Sequence, residues 1–393
     1  MMIWLGLAIP CIVCTALLFW FRQKVVWWEY VLIFAISFVV IPLCVKGFEW
    51  QLASDIEYLG GWSVRTDYYE EWTEEYDCMC DEDGRNCSTC YTHHPAEWYA
   101  VVGLGMDWEE SVPINEARYR EIAQRFGTSR QYQDIIRFNQ SSIGDGDRYY
   151  YLWNGDRANG VTMTVGHRYE NRVLAAGPSA LGFESVTEEE AAAEGLYDYP
   201  AIQSYYVQRA IIGPTGNTLN SLEAEEQLQV LNADYGSQHQ VRVYVLLYEG
   251  SSRRVAFRQE SYWFDGNKNE FIVAVGLNAD GSVAWGQPIS WTPNELFKIE
   301  TQQFLEDSEG PLDLAALATH LRHEIPSMWE RQEFSDFDYM AVRVPMWAAV
   351  LSWLIILIFN LFMAFFVVHN EWEEGGVVSR FRRRTSFRNF RRF

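Results

Sequence analysis

Basic side chains are scarce in this chain: 31 lysines and arginines stand against 53 aspartates and glutamates in 393 residues. A surface this acidic repels nucleic acid and anionic lipid headgroups, stays soluble, and suits cations or basic partners. Familiar catalytic signatures are missing as well. No phosphate-cradling P-loop, nucleophile elbow or dinucleotide fingerprint occurs, which excludes the chemistries those signatures serve. Charge is also missing from long stretches. Met2–Phe21 and Val344–Val368 contain none, and Val25–Val45 contains Glu29 alone. A helix of about 20 apolar residues crosses a bilayer core, so each of the three runs is expected to be a transmembrane span.

Arg22 and Lys24 lie in the short link between the first two runs. Arg380, Arg382, Arg383, Arg384, Arg388, Arg391 and Arg392 follow the third. Basic residues beside spans stay on the cytoplasmic side. The expected topology therefore has residues 46–342 on the non-cytoplasmic side and the C-terminus in the cytoplasm. A cleaved signal peptide, the rival for the first run, would carry a basic n-region and a small-residue cleavage site; neither is present. Asn360 is the strongly polar side chain of the third run, and no carboxylates or arginines line the runs as a transporter requires. That argues against a channel or holin-like protein.

Residues 46–342 hold 21 basic and 49 acidic residues, a net charge of about −28 that the arginine tail masks in the whole-chain total. The tail interleaves its arginines with Phe381, Phe387, Phe390 and Phe393. Such segments adsorb to anionic lipid with about 1 kcal/mol per basic residue; nucleic acid or an acidic cytosolic partner is the alternative use.

The ectodomain is expected to have two parts. The first, 46–213, is acidic and rich in Trp and Tyr, and contains Cys78, Cys80, Cys87 and Cys90 in two close pairs flanking a six-residue turn. That spacing brings four sulfurs around one tetrahedral zinc, with His93 and His94 able to replace a thiolate. The alternative is two disulfides across the turn, which an oxidising exterior favours. Compact pairing inclines the reading to structural zinc, and either makes a staple. Cys87-Ser-Thr-Cys90 as a redox dithiol lacks the strand–helix setting of that motif. Pro113–Gly127 reads as a short helix, and Arg148–Asp156 with Gly160–Val173 as a hairpin turning at 157–159. Gly144–Asp147 is an acidic turn without calcium-loop spacing, so Ca²⁺ or Mg²⁺ has little support. Asn86 and Asn139 open N-x-Ser sequons.

The second part, 214–342, alternates helix and strand signals. Asn220–Tyr235 has helical period, with Glu223 placed to close a capping box on Asn220. Gln240–Tyr248 alternates as a strand, Ser252–Trp263 reads as a helix, and Phe271–Leu277 as a strand covered on both faces. Asn278–Gly281 turns into the strand Ser282–Ser290. Thr292-Pro-Asn-Glu295 starts a helix with Thr as cap, and Leu314, Leu317 and Leu321 mark a last helix that Pro326 ends or kinks. The fold class is therefore α+β: three transmembrane helices and a two-part ectodomain whose second part is a small α/β sandwich of order α-β-α-β-β-α-α.

Val241–Leu247, then Trp263, Gly266-Asn-Lys-Asn269 and Phe271–Leu277, resemble the TPM domain, a family of membrane-anchored modules. The resemblance spans about 120 residues (217–340) and is one of pattern. It implies either a role in assembling or regulating membrane complexes, with other membrane proteins or their ectodomains as partners, or, as in some members, a phosphatase. The glycine-rich segment after the apolar strand appears here as Val283–Pro288 without a matching acidic site. His320, His323 and Glu324 form H-x-x-H-E, not the metalloprotease H-E-x-x-H, and read as a solvated helix face. Asp265, Asp280 and Asp307 are the carboxylates a metal-dependent hydrolase would gather at one sheet end. The sequence thus points to a binding or assembly module, with hydrolysis as the alternative.

Overall fold

The computed structural model describes residues 6, 8–21, 25, 27–80, 87–105, 108–137, 139–140, 145–200, 202–203, 206–207, 209–264, 269–340, 342 and 345–370. Helices α1 (Ala8–Trp20) and α2 (Trp27–Ala53) lead into strands β1 (Ser54–Tyr69), β2 (Trp72–Cys78), β3 (Ser88–His94), β4 (Glu97–Gly103) and β5 (Glu109–Pro113). Helix α3 (Glu116–Phe126), β6 (Gln131–Gln133), β7 (Arg148–Leu152), β8 (Thr162–Glu170), α4 (Arg172–Ala176) and α5 (Glu188–Glu194) follow. After the two-residue strands β9 (Ile202–Gln203), β10 (Tyr206–Val207) and β11 (Ile211–Ile212) come α6 (Ser221–Gln238), β12 (Arg242–Glu249), α7 (Arg254–Tyr262), β13 (Glu270–Leu277), β14 (Val283–Ser290), α8 (Glu295–Glu306), α9 (Leu314–Met328) and α10 (Met346–Asn370). The chain is mixed α+β and divides into two compact units.

One unit, Met1–Ser54 with Glu170–Gly177 and Tyr339–Phe393, is helical. Of the three expected spans, α2 and Met346–His369 of α10 are long and apolar enough to cross a membrane. The described helix of the first run is α1, with 13 residues, a length of about 20 Å at the helical rise; residues 2–5 and 7 of that run lie outside the described residues. All-round apolar composition makes these helices pack through small and branched side chains, with Val13, Leu17, Ile33, Ala364 and Val367 in one cluster. Asn360 Nδ2 donates to Ser37 Oγ (3.0 Å) and to Ile356 O (2.8 Å), so the polar side chain of the third run bonds to a neighbouring helix. Pairing of this kind holds helices together where no water competes.

The second unit, Asp55–Tyr169 with Pro178–Asp338, contains the strands. Its first sheet has the order β5-β4-β1-β7-β6, with β8 also on β1. The expected 148–173 hairpin is absent: β7 and β8 each pair with β1 instead. The 16-residue β1 is long enough for both, and η-turn residues 157–159 carry the chain from one to the other. Helix α3, capped by Asn115 and closed by left-handed Gly127, lays Tyr119, Ile122 and Phe126 on this sheet, against Leu59, Val102, Val112 and Val165.

The second sheet, β11-β12-β13-β14, is parallel except for the antiparallel β14. The order α6-β12-α7-β13-β14-α8-α9 follows the expected one, with β11 added at the edge. Odd-numbered Val243, Val245, Val273 and Val275 meet α6, α8 and α9; even-numbered Tyr244, Leu246, Ile272 and Ala274 meet α7 and α5. Both faces of β12 are thus covered, where its alternation had suggested one polar face. Cap chemistry also differs from expectation. Asn220 is left-handed with no side-chain cap bond and donates instead to Asp313 Oδ2. The α8 cap is Asn294, two residues past Thr292, because Asn294 Oδ1 reaches Leu296 N and Phe297 N. Pro326 lies inside α9, which ends two residues later.

The two sheets of this unit are joined by close and charged contacts. A Cβ on Gly236 of α6 would stand 2.6 Å from Gly60 N of β1, so only glycine allows that backbone approach. Arg242 is 2 % exposed and donates to Tyr58 O (3.3 Å), Thr164 Oγ1 (2.9 Å) and Tyr244 Oη (3.4 Å). Buried Asp234 accepts from Trp62 Nε1 and pairs with Arg157 and Arg322. Glu57, also buried, pairs with His167 (2.9 Å) and Arg331 (2.7 Å).

Candidate functional site

The site begins with the pleat of the first sheet. On β1 the side chains of Arg65, Asp67 and Tyr69 share one face, since strand residues two apart point the same way. Tyr99 stands opposite Asp67 on β4, and Ser111 continues the row on β5. Asp67, Tyr69, Tyr99 and Ser111 form the floor of a cleft of about 400 Å³ whose walls include Glu70, Trp72, His94, Glu97 and Arg137. Trp72 is the centre of the wall: His94 stacks on it at 4.2 Å, and the Arg137 guanidinium lies 4.3 Å from its ring centroid. Arg137 is tied down by its bond to Gly146 O (3.1 Å).

Cation and anion are unevenly spent here. Asp67 is satisfied, with Arg65 at 3.1 Å and Arg148 at 2.9 Å. Glu97 accepts from Tyr99 Oη (2.8 Å) and so holds the Tyr99 hydroxyl above its ordinary range. Glu70 is held above the usual carboxylate range, first by burial and then by a hydrogen bond with Asp145, whose own carboxyl is correspondingly lowered.

The Trp72–His94 wall belongs to the β2–β3 ribbon, paired from Trp72↔His94 out to Cys78↔Ser88. Two strands alone are marginally stable in water. At the far end the four cysteines are joined as Cys78–Cys90 and Cys80–Cys87. The structure therefore pairs the sulfurs as the disulfide alternative, where the compact spacing had inclined the sequence reading to zinc; a thiolate zinc site needs those same sulfurs unpaired. Residues 81–86, including Asn86, lie outside the described residues. Among the described residues, no three His, Cys, Asp or Glu side chains are grouped to hold a metal ion.

The remaining sequence candidates are placed apart. Asp147 of the acidic turn accepts from Tyr132 Oη and Ile135 N. Asp280 accepts from Ser282 N and Oγ in the β13–β14 turn, and Asp307 closes α8. Asp265 and the seven tail arginines, Arg380, Arg382, Arg383, Arg384, Arg388, Arg391 and Arg392, lie outside the described residues. His323 is solvated beside Glu324 at 2.9 Å, as expected for an exposed face. His320 is not: it stacks on Phe304 at 4.3 Å, and its buried Nε2 has no hydrogen-bond partner among the described residues. Burial lowers its pKa below the ordinary 6.5. The folded state thus favours neutral His320, so its contribution is full above about pH 6.5 and is lost as pH falls through the lowered folded value. The loss of thermal stability on acidification through that window is expected to shrink in His320→Phe, read by melting from pH 7.5 to 5; an unchanged slope would reject this assignment.

Of the cleft residues the sequence singled out His94 alone, as a substitute for a thiolate, along with the cysteines that brace the ribbon beside it. The legible signal was the period-two run Arg65, Asp67, Tyr69, which no motif marks. No family model, no curated protein and no solved structure matches this chain.

Proposed function

We propose that this chain is a membrane-anchored interaction module whose ectodomain captures a basic segment of another membrane protein in the cleft beneath the β2–β3 ribbon. The observation that carries the reading is the cleft itself: the rings of Tyr69, Trp72 and Tyr99 line it together with Glu70 and Glu97. Its setting supports the same partner, because residues 46–342 carry about −28 and long-range attraction steers a basic chain toward such a surface. Flat rings accept arginine by stacking, and carboxylates accept it by charge-assisted hydrogen bonds. In this reading the ectodomain lies on the non-cytoplasmic side and the arginine tail holds anionic lipid. The second half acts as a TPM-like assembly module, a reading supported by its helix and strand order. A metal-dependent phosphatase is the alternative, and it draws less support from Asp280, which is engaged in its own turn.

The test uses the full chain in detergent and a labelled dodecapeptide alternating arginine and serine, with an aspartate–serine peptide as control. Glu70→Gln combined with Glu97→Gln is expected to weaken binding of the basic peptide by about tenfold, while Glu223→Gln with Glu226→Gln on α6 changes it little. Equal losses from both pairs, or no binding at all, would reject the cleft. Affinity is also expected to rise with pH above the usual carboxylate range, because Glu70 is held above that range and adds charge to the cleft as it ionises. Glu70→Gln should flatten that rise. Robust phosphoester turnover lost in Asp280→Asn would instead establish the alternative.

A further inference from the structure

A second, smaller cavity lies where the C-terminal end of α7 meets the strands β13 and β14. Phe183, Trp263, Phe264 and Trp291 line it together with two carboxyls, Glu260 and Glu270, and it holds about 20 Å³. Its aromatic walls are fixed from behind. Trp263 Nε1 donates to Tyr197 O at 2.7 Å, and Tyr199 packs on its ring at 5.2 Å. Trp291 stands between Phe183 at 6.3 Å and Phe337 at 5.4 Å. Rings held in this way surround the space without having to be ordered by a ligand, which lowers the cost of binding.

The carboxyls differ in how they are engaged. Glu270 is 3 % exposed and accepts from Tyr199 Oη. Glu260 makes no hydrogen bond to a described residue, and burial among the rings raises its pKa, with Lys298 opposing. The Lys298 ammonium is committed elsewhere, to Glu295 at 2.7 Å and to Ser290 O at 3.3 Å. Glu260 is half-buried, so part of it meets solvent. Aromatic rings with a carboxylate are the general recognition chemistry for an organic cation. Size selects among cations: the space admits about one water-sized group, which an –NH₃⁺ matches and a trimethylammonium exceeds.

We propose that this cage binds a primary ammonium group, with Glu260 as its counter-ion and the rings of Trp263 and Trp291 as its walls. The residues are separate from those of the cleft, so the inference stands apart from the proposed function. A free alkylamine and a lysine side chain both carry such an ammonium, and the probes separate the two sources.

The experiment uses the full chain in detergent, labelled with 5-fluorotryptophan. The fluorine resonances of Trp263 and Trp291 are assigned from Trp263→Phe and Trp291→Phe. Butylammonium chloride is expected to shift both resonances saturably, whereas tetramethylammonium chloride and butanol leave them in place. A matching shift from N-acetyl-lysine methylamide identifies a lysine side chain as an accepted source; its absence beside a butylammonium shift restricts the cage to free amines. Glu260→Gln is expected to weaken butylammonium by about tenfold with the melting temperature retained, and Glu260→Asp to retain part of the affinity. No shift at either tryptophan, equal shifts from butanol or tetramethylammonium, or undiminished affinity in a folded Glu260→Gln protein would overturn the proposal.

Discussion

Replacing Arg242 with alanine is expected to destabilise the strand-bearing unit by about 3–5 kcal/mol, the range for removing one partner of a buried charged network. Arg242 is among the largest fully buried side chains. It stands across the parallel register from Glu270, itself buried, and its guanidinium reaches Tyr58 O and Thr164 Oγ1 on the other sheet's strands. Alanine would take a donor from both acceptors, Tyr58 O keeping the 3.5 Å bond from Asn269 Nδ2, and would leave Glu270 without its nearby cation, as well as an empty volume. Thermal melting followed by tryptophan fluorescence measures the loss, and a drop under about 1 kcal/mol would refute the assigned role. The variant Arg242→Ala with Glu270→Gln separates the contributions. Recovery of part of the loss identifies the uncompensated carboxylate, whereas full additivity assigns the loss to the donor bonds alone. Arg242→Lys should fall between, because a point charge cannot serve the three acceptors of the planar fork.

The second large effect concerns the ribbon. Alkylation of the denatured, unreduced chain is expected to label three thiols, Cys11, Cys14 and Cys44, and to spare the other four. Seven labelled thiols with one equivalent of zinc would return the motif to the thiolate reading. Replacing all four cysteines by serine is expected to cost about 2–4 kcal/mol, since a cross-link acts mainly by restricting the unfolded segment. The effect should be confined to β2 and β3, whose only covalent brace is lost at the tip. Hydrogen exchange should accelerate there and not in β12 or β13, which are buried on both faces. Because Trp72 and His94 stand at the base of the same ribbon, affinity for the basic peptide should fall by about tenfold, the loss expected when a preorganised wall becomes mobile. Unchanged affinity in the serine variant would separate the ribbon from the cleft.

The elements of the second sheet were legible because each carries its own period. Leu228 and Leu231 on α6, the apolar run of β13, and Leu314, Leu317 and Leu321 on α9 bury the faces their spacing marks. Caps were less legible. Thr292 and Asn294 are both good cap residues, and the choice between them is made by Asn294 Nδ2, which also donates to Met328 O at 2.8 Å, a partner distant in sequence. Arg242 falls within the alternating run Gln240–Tyr248, and alternation cannot reveal the second layer that buries it. The bond from Asn232 to both the N–H and C=O of Val243 (2.7 and 3.1 Å) has the same character. It covers a strand edge that the two-residue β11 leaves open, and nothing local to Asn232 announces it.

Composition and periodicity alone determined that charge leaves long apolar helices, that four cysteines brace one turn, and that a helix-and-strand layer precedes the last apolar helix; those properties depend on neighbours within a few residues. The tertiary structure decided that β7 and β8 both lie along β1 and that Arg242 and Asp234 join the two sheets. It also decided which acidic and aromatic side chains meet in a cleft or cage. The physical reason is that hydrophobic period is a local quantity, whereas the partner of a buried charge or the wall of a cavity is set by packing between segments far apart in the chain.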